Sequence, residues 1–201
     1  MKNNTLHESG RHWAAVAALF AGVAAAGAAQ AAEPAGAFAT SRAPGYAVYL
    51  EAGDSTGNSG RTSGTLGLRL PTSHAFWDGR LRLAWDVYVA DWRTDAPPGY
   101  RAHLTEVGVV PMFRYRPDQG RSPWFVEGGI GLSYLDGTYH VHGDTDFSTQ
   151  LNFSDHLGVG RNFGDQGRHE LGLYVKHVSN AGLRRPNPGE TYLQLRYAYG
   201  F

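Results

Sequence analysis

Between Lys176 and Glu190 the chain reads KHVSNAGLRRPNPGE. His177 stands two residues before Ser179, and Glu190 follows after the loop. These are the three side-chain types of a serine hydrolase. A serine hydroxyl is a poor nucleophile until a base takes its proton. A neutral imidazole, whose ordinary pKa is near ~6.5, can act as that base. Residues i and i+2 of a strand share one face about 6.5–7 Å apart at Cα, a gap that two side chains leaning together can close. An acid must then hold the imidazole and stabilise its cation. Glu190 opens the next segment, and antiparallel pairing across the NAGLRRPNPG loop brings it back beside His177. Asp155 is the alternative acid, because pairing across the GDQG turn places it near the same histidine. Asn180 and the backbone N–H of Gly182 follow the serine directly and are candidate oxyanion donors. An H-x-S pair alone is weak evidence, since strands often end on polar residues. The elements that carry the pair have to decide.

The chain has 201 residues, 27 of them glycine, with 5 Trp, 11 Tyr and 9 Phe, which favours a β-rich protein. Formal net charge is zero, so bulk electrostatics offer nothing to nucleic acid as a partner. Cysteine is absent, which excludes disulfides, thiolate metal sites and a cysteine nucleophile. The N-terminus reads as an export signal over residues 1–31. Lys2 and Arg11 supply positive charge, Trp13 to Ala29 is apolar, and Ala29-Gln30-Ala31 offers small residues for cleavage. A short Pro-containing tail follows over 32–44. No later stretch could cross a bilayer as a helix, so the remainder is either soluble or a β-barrel.

From Gly45 onward, eight segments of about ten residues alternate apolar with polar or small side chains. Leu81, Leu83, Trp85, Val87 and Val89 alternate with Arg82, Ala84, Asp86, Tyr88 and Ala90; Leu171, Leu173 and Val175 alternate likewise. Pro111 weakens the fourth segment locally. Connections after even-numbered segments are short, and those after odd-numbered ones are more variable. The chain ends on Phe201, with apolar or aromatic residues at alternate positions back to Leu193. The pattern predicts an all-β fold over 45–201: an eight-stranded antiparallel up-and-down transmembrane β-barrel with short periplasmic turns. Its polar face, with Glu51, Arg69, Arg82, Asp86, Glu106, Arg114, Tyr174, Lys176 and Arg196, would fill the lumen. Parity then decides where the histidine and serine point. His177 and Ser179 continue the series Leu171, Leu173, Val175 and therefore project from the outer wall. A polar pair on a lipid-facing wall costs stability at depth, and function is a reason to keep it.

HVSNAGLRRPNPGE, together with LNFSDHLGVG upstream, resembles the PagL family of outer-membrane lipid A deacylases. The resemblance implies an eight-stranded barrel in the bacterial outer membrane that hydrolyses an ester-linked acyl chain of lipid A, with its site near the extracellular leaflet. It implies His177 as base, Ser179 as nucleophile, Asn180 and Gly182 as oxyanion donors, and Asn187 as a loop-shaping residue. The family's glutamate falls one residue after Glu190, where this chain has Thr191. Glu190 also has the parity of the lumenal Gln194 and Arg196, so reaching His177 would need a bulge after Gly189. Arg184 and Arg185 stand where a lipid phosphate would lie; ordinary solvated loop charge is the other reading. No cofactor is implied. The YHVHGDTD stretch holds His140, His142, Asp144 and Asp146, but polar loops of this kind seldom hold a metal and none is expected. Expected partners are lipid A or lipopolysaccharide and outer-membrane lipids, with a homodimer also open. The rival reading is a non-enzymatic eight-stranded barrel with a structural or adhesive role.

Overall fold

The computed structural model describes residues 45–57, 60–94, 98–141 and 145–201. The expected export signal and tail lie outside the described residues, as do His142 and Asp144. The strands are β1 (Ala47–Ser55), β2 (Thr62–Phe76), β3 (Leu81–Arg93), β4 (His103–Tyr115), β5 (Trp124–Leu135), β6 (His140–Val141), β7 (Thr145–Asp146), β8 (Leu151–Phe163), β9 (His169–Ser179) and β10 (Glu190–Gly200). Eight of them close into one antiparallel barrel in the order β1-β10-β9-β8-β5-β4-β3-β2. The two-residue strands β6 and β7 pair with each other in the connection from β5 to β8. Closure gives each barrel strand two hydrogen-bonded neighbours, so no edge is left open. Among the described residues, no helix is long and apolar enough to cross a membrane.

The alternation sorts side chains as the sequence predicts. Leu66, Leu68, Val87, Val89, Val107, Val109, Leu171, Leu173, Val175, Leu193 and Leu195 are all exposed on the outer wall. The residues between them are buried, apart from the half-buried Gly108. A wall that turns apolar groups outward and charges inward is stable in lipid and not in water. Pro111 remains inside β4 and pairs with Trp85 of β3. On the other side, the ladder to β5 runs from Glu106↔Leu135 to Val109↔Leu132 and resumes at Phe113↔Gly128, skipping the proline. Two expectations need correction. PTSHAFWDG is not only a turn: β2 continues to Phe76 past a register shift between Pro71 and Ala75, and the tight turn is 77–80. Arg82, expected in the lumen, is exposed because the β2–β3 hairpin leaves the enclosed part of the barrel before reaching it.

The lumen is filled by ion pairs. Arg196 meets Glu51 and Asp86 (2.9 Å to the latter) and lies over the rings of Tyr49 (3.9 Å) and Tyr174 (4.0 Å). Arg69 reaches Glu127 (2.9 Å) and Glu170 (3.3 Å), and Arg114 reaches the same two carboxylates at 2.5 and 2.6 Å. Nearer the Ser179 end, Lys176 pairs with Glu106 (2.6 Å), which also accepts from the Tyr88 hydroxyl and the Trp92 indole. Tyrosine rings fit beside this network because their cross-strand partners lack a side chain. Tyr49 pairs with Gly67 and Tyr88 with Gly108, and a Cβ on either glycine would fall 2.1 or 2.3 Å from the ring. Each ion was desolvated to enter the lumen, so leaving one without its partner is costly. Arg196→Met is therefore expected to destabilise the barrel by about 3–5 kcal/mol, read as a lower midpoint in denaturant unfolding of the detergent-folded protein.

Candidate active site

His177 and Ser179 lie at the end of β9, half-buried on the outer wall, in line with the exposed Leu173 and Val175. The register fixes their neighbours. Asp155 of β8 lies opposite His177 on one side, and Thr191 of β10 lies opposite it on the other. Phe153 of β8 lies opposite Ser179. The wall thus carries a row Asp155–His177–Thr191 above the greasy residues, with paired Cα atoms about 4.5–5.5 Å apart.

The imidazole is held at its Nδ1, which is 2.8 Å from Thr191 Oγ1. Its other edge faces Gly189. A Cβ built on Gly189 would stand 2.9 Å from His177 Cε1, 3.4 Å from Nε2 and 3.7 Å from Ser179 Cβ. The Nε2 edge of the imidazole and the serine side chain therefore border one small space, kept open by a residue with no side chain. Gly189 also has φ +67, a conformation that glycine adopts without strain. Asp155 is half-buried, and its Oδ1 is buried with no hydrogen-bond partner among the described residues.

Glu190, the acid expected beside His177, is placed elsewhere. β10 starts without a bulge, with Glu190 opposite Val178, so its carboxylate points inward. There it accepts from Ser55 Oγ (2.6 Å), Arg61 Nη1 (3.3 Å) and the Tyr139 hydroxyl. Burial, and then the charge of Glu190 itself, push the Tyr139 hydroxyl well above its ordinary pKa, so it stays a donor. Glu190 thus ties the connections after β1 and β5 to the start of β10. Thr191, the next residue, is the side chain that touches the histidine; its oxygen at this position was the available sequence signal.

The loop after Ser179 is braced by its own polar groups. Asn180 Nδ2 donates to Ser148 Oγ (3.0 Å) and to the Arg184 carbonyl (2.9 Å). The Gly182 N–H donates to Asn180 Oδ1 (3.0 Å), and the Asn180 N–H donates to Asn187 Oδ1 (3.0 Å). Both amides expected to form an oxyanion hole are therefore engaged, and Asn187 shapes the loop through one of them. The Ala181 N–H donates to Ser179 Oγ (3.4 Å). Arg184 and Arg185 are exposed on the same loop beside Leu183, which is 81% exposed. His140 meets Asp146 and stacks on Tyr100, and no metal-binding group of His, Asp or Glu forms among the described residues.

The chain as a whole is similar to known proteins. The family profile described as lipid A 3-O-deacylase (PagL) matches residues 62–200. The chain belongs to the PagL family. Lipid A deacylase PagL of Bordetella bronchiseptica is 34% identical over 144 residues, covering 68% of this chain and 75% of the relative. The Pseudomonas aeruginosa protein of the same name is 32% identical over 145 residues, covering 71% and 79%. The crystal structure of the outer membrane enzyme PagL superposes with a TM-score of 0.63 at 28% identity, over 77% of this chain and 99% of that one. Neisserial surface protein A shares the fold alone, with a TM-score of 0.53 at 13% identity.

The space beside Gly189 can be probed directly. Gly189→Ala puts a methyl group against the imidazole at an unfavourable φ. The folded variant is expected to react with a fluorophosphonate at Ser179 at least about tenfold more slowly than the parent, measured by mass spectrometry of the labelled protein.

Proposed function

We propose that this PagL-family barrel is a lipid A deacylase of the outer membrane, a serine esterase that hydrolyses an ester-linked acyl chain, at the 3-O position if it follows the family's name. The observation that carries the reading is the shared space at Gly189, which the imidazole Nε2 edge and the Ser179 side chain both border on the lipid-facing wall. Membership of the family supports the substrate class.

Lipid A lies in the outer leaflet with its acyl chains against the wall, along Leu173 and Val175. The ester carbonyl sits level with Ser179, near the extracellular headgroups. The tautomer in which Nδ1–H of His177 donates to Thr191 Oγ1, 2.8 Å away, leaves Nε2 bare and able to accept a proton. Ser179 Oγ attacks the carbonyl carbon while its proton passes to Nε2. The oxyanion takes the Ala181 N–H, the amide nearest the nucleophile. Collapse breaks the ester C–O bond, and Nε2–H protonates the departing sugar hydroxyl. Water, deprotonated by Nε2, then attacks the acyl-enzyme, and the fatty acid leaves as Ser179 regains its proton. Asp155, with its unengaged Oδ1 across the ladder from His177, stabilises the imidazolium that forms at each transfer. The neutral Thr191 hydroxyl orients the ring. The acid's two tasks, orientation and charge, are thus divided between two strands. Arg184 and Arg185, on the exposed loop beside the site, meet a lipid A phosphate.

Ser179→Ala is expected to reduce fatty-acid release from lipid A by at least about 10³-fold, followed by mass spectrometry of the lipid product; undiminished release would remove Ser179 as nucleophile. The division of the acid's role gives an order of effects. Asp155→Asn is expected to lower kcat by about 10–10²-fold and Thr191→Val by about tenfold, with Glu190→Gln within about threefold of the parent. A larger loss in Glu190→Gln than in Asp155→Asn, at equal thermal stability, would return the acid's role to Glu190.

A further inference from the structure

The opposite end of the barrel, where the 77–80 and 118–120 turns lie, holds a cavity of about 60 Å³ that the esterase does not use. It is lined by five arginines, Arg69, Arg80, Arg82, Arg114 and Arg116, and a single carboxylate, Glu127. That carboxylate is already spent: it accepts from Arg69 (2.9 Å), Arg114 (2.5 Å) and the Tyr174 hydroxyl (2.5 Å). Arg69 and Arg114 are balanced by Glu127 and Glu170. The other three are not. Arg116 is buried, 4% exposed, yet its guanidinium donates only to the carbonyls of Ser122 (3.0 Å) and Pro123 (3.2 Å) and to Asn162 Oδ1 (2.5 Å), all neutral. Arg80 and Arg82 are exposed at the same cavity. None of the three has a carboxylate within 4.0 Å among the described residues.

A buried cation without a counter-ion is costly unless something else supplies the charge. Burial, and then the neighbouring charge of Arg114, lower the pKa of Arg116 to about 9, which marks the surroundings as short of negative charge. Guanidinium groups present paired N–H donors that match the oxygens of a phosphate. The volume exceeds the roughly 10–15 Å³ that one water needs, so a small oxyanion group can enter. The hairpin that brings Arg80 and Arg82 here is the one that runs on past the enclosed barrel, and the Arg116 N–H is bonded to the Arg80 carbonyl (2.8 Å). The three arginines therefore form one unit.

We propose that this cavity is a phosphate-binding site, separate from the esterase, held by Arg80, Arg82 and Arg116. The phosphate belongs either to a phospholipid headgroup of the adjoining leaflet or to a free soluble anion, and the test separates the two. The full-length barrel, folded in an uncharged maltoside detergent, is titrated with inorganic phosphate at constant ionic strength and followed by ³¹P NMR. In a second arm it is reconstituted with phosphatidylglycerol, stripped, and examined by native mass spectrometry for retained lipid. Saturable binding of inorganic phosphate, weakened at least about tenfold in Arg80→Gln/Arg82→Gln and further in Arg116→Gln, supports the site with a soluble anion. One retained lipid, lost in the same variants without inorganic phosphate binding, supports the headgroup. The exposed double variant carries the test should Arg116→Gln fail to fold, and its esterase activity is expected to match the parent. Binding in neither arm, or binding unaffected in the double variant, overturns the proposal.

Discussion

Every outward-facing position of this barrel is dictated by the inward-facing ones. The strand period is two, so a slip of one residue in any pairing would turn Arg196, Glu127 or Lys176 into lipid and bring leucines inside. The ion pairs around Glu127 and Arg196 join strands that are not neighbours in the wall: Arg196 of β10 meets Asp86 of β3, and Arg114 of β4 meets Glu170 of β9. These cross-lumen pairs hold each strand against sliding. The site depends on that register. His177 faces Asp155 and Thr191 because β8, β9 and β10 are locked at Asp155↔His177 and Thr191↔His177.

The wall location also shapes the chemistry. A lumenal serine would sit among fixed charges and out of reach of a lipid. On the outside, Ser179 lies in line with the exposed Leu173 and Val175, and the polar neighbours of His177 stand one ladder step away on either side. The cost of exposing them to lipid is limited by their place at the strand end, where His177 and Ser179 are half-buried under the 180–189 loop. Asn180 and Asn187 stiffen that loop through hydrogen bonds within it and to Ser148, so Ser179 rests against a fixed backbone.

Much of this was legible in the residues. Alternation gives the strands, and its parity gives the outward aim of His177 and Ser179 and the lumenal aim of Asp86, Arg114 and Arg196. Three things were not legible, each for a physical reason. Past Pro71 both faces of β2 meet solvent, so the period-two signal that would extend the strand to Phe76 disappears, and Arg82 is misplaced with it. The turn geometry at Gly189 decides whether Glu190 or Thr191 faces the histidine, and a single possible bulge leaves pattern reasoning undecided. Parity favoured an inward Glu190, while residue type favoured it as the acid. Which amides remain for an oxyanion depends on side-chain hydrogen bonds within the loop, such as Asn187 to the Asn180 N–H, which have no periodic signature.

The interior is filled from the Ser179 end to its middle. Tyr139, Phe147, Trp92 and Tyr192 interlock edge to face at the Ser179 end, and the salt-bridged arginines occupy the middle. A bacterium carrying many copies therefore keeps its permeability barrier intact: hydrophilic antibiotics and ions gain no route through this protein, and remodelling of the surface lipid proceeds without leakage.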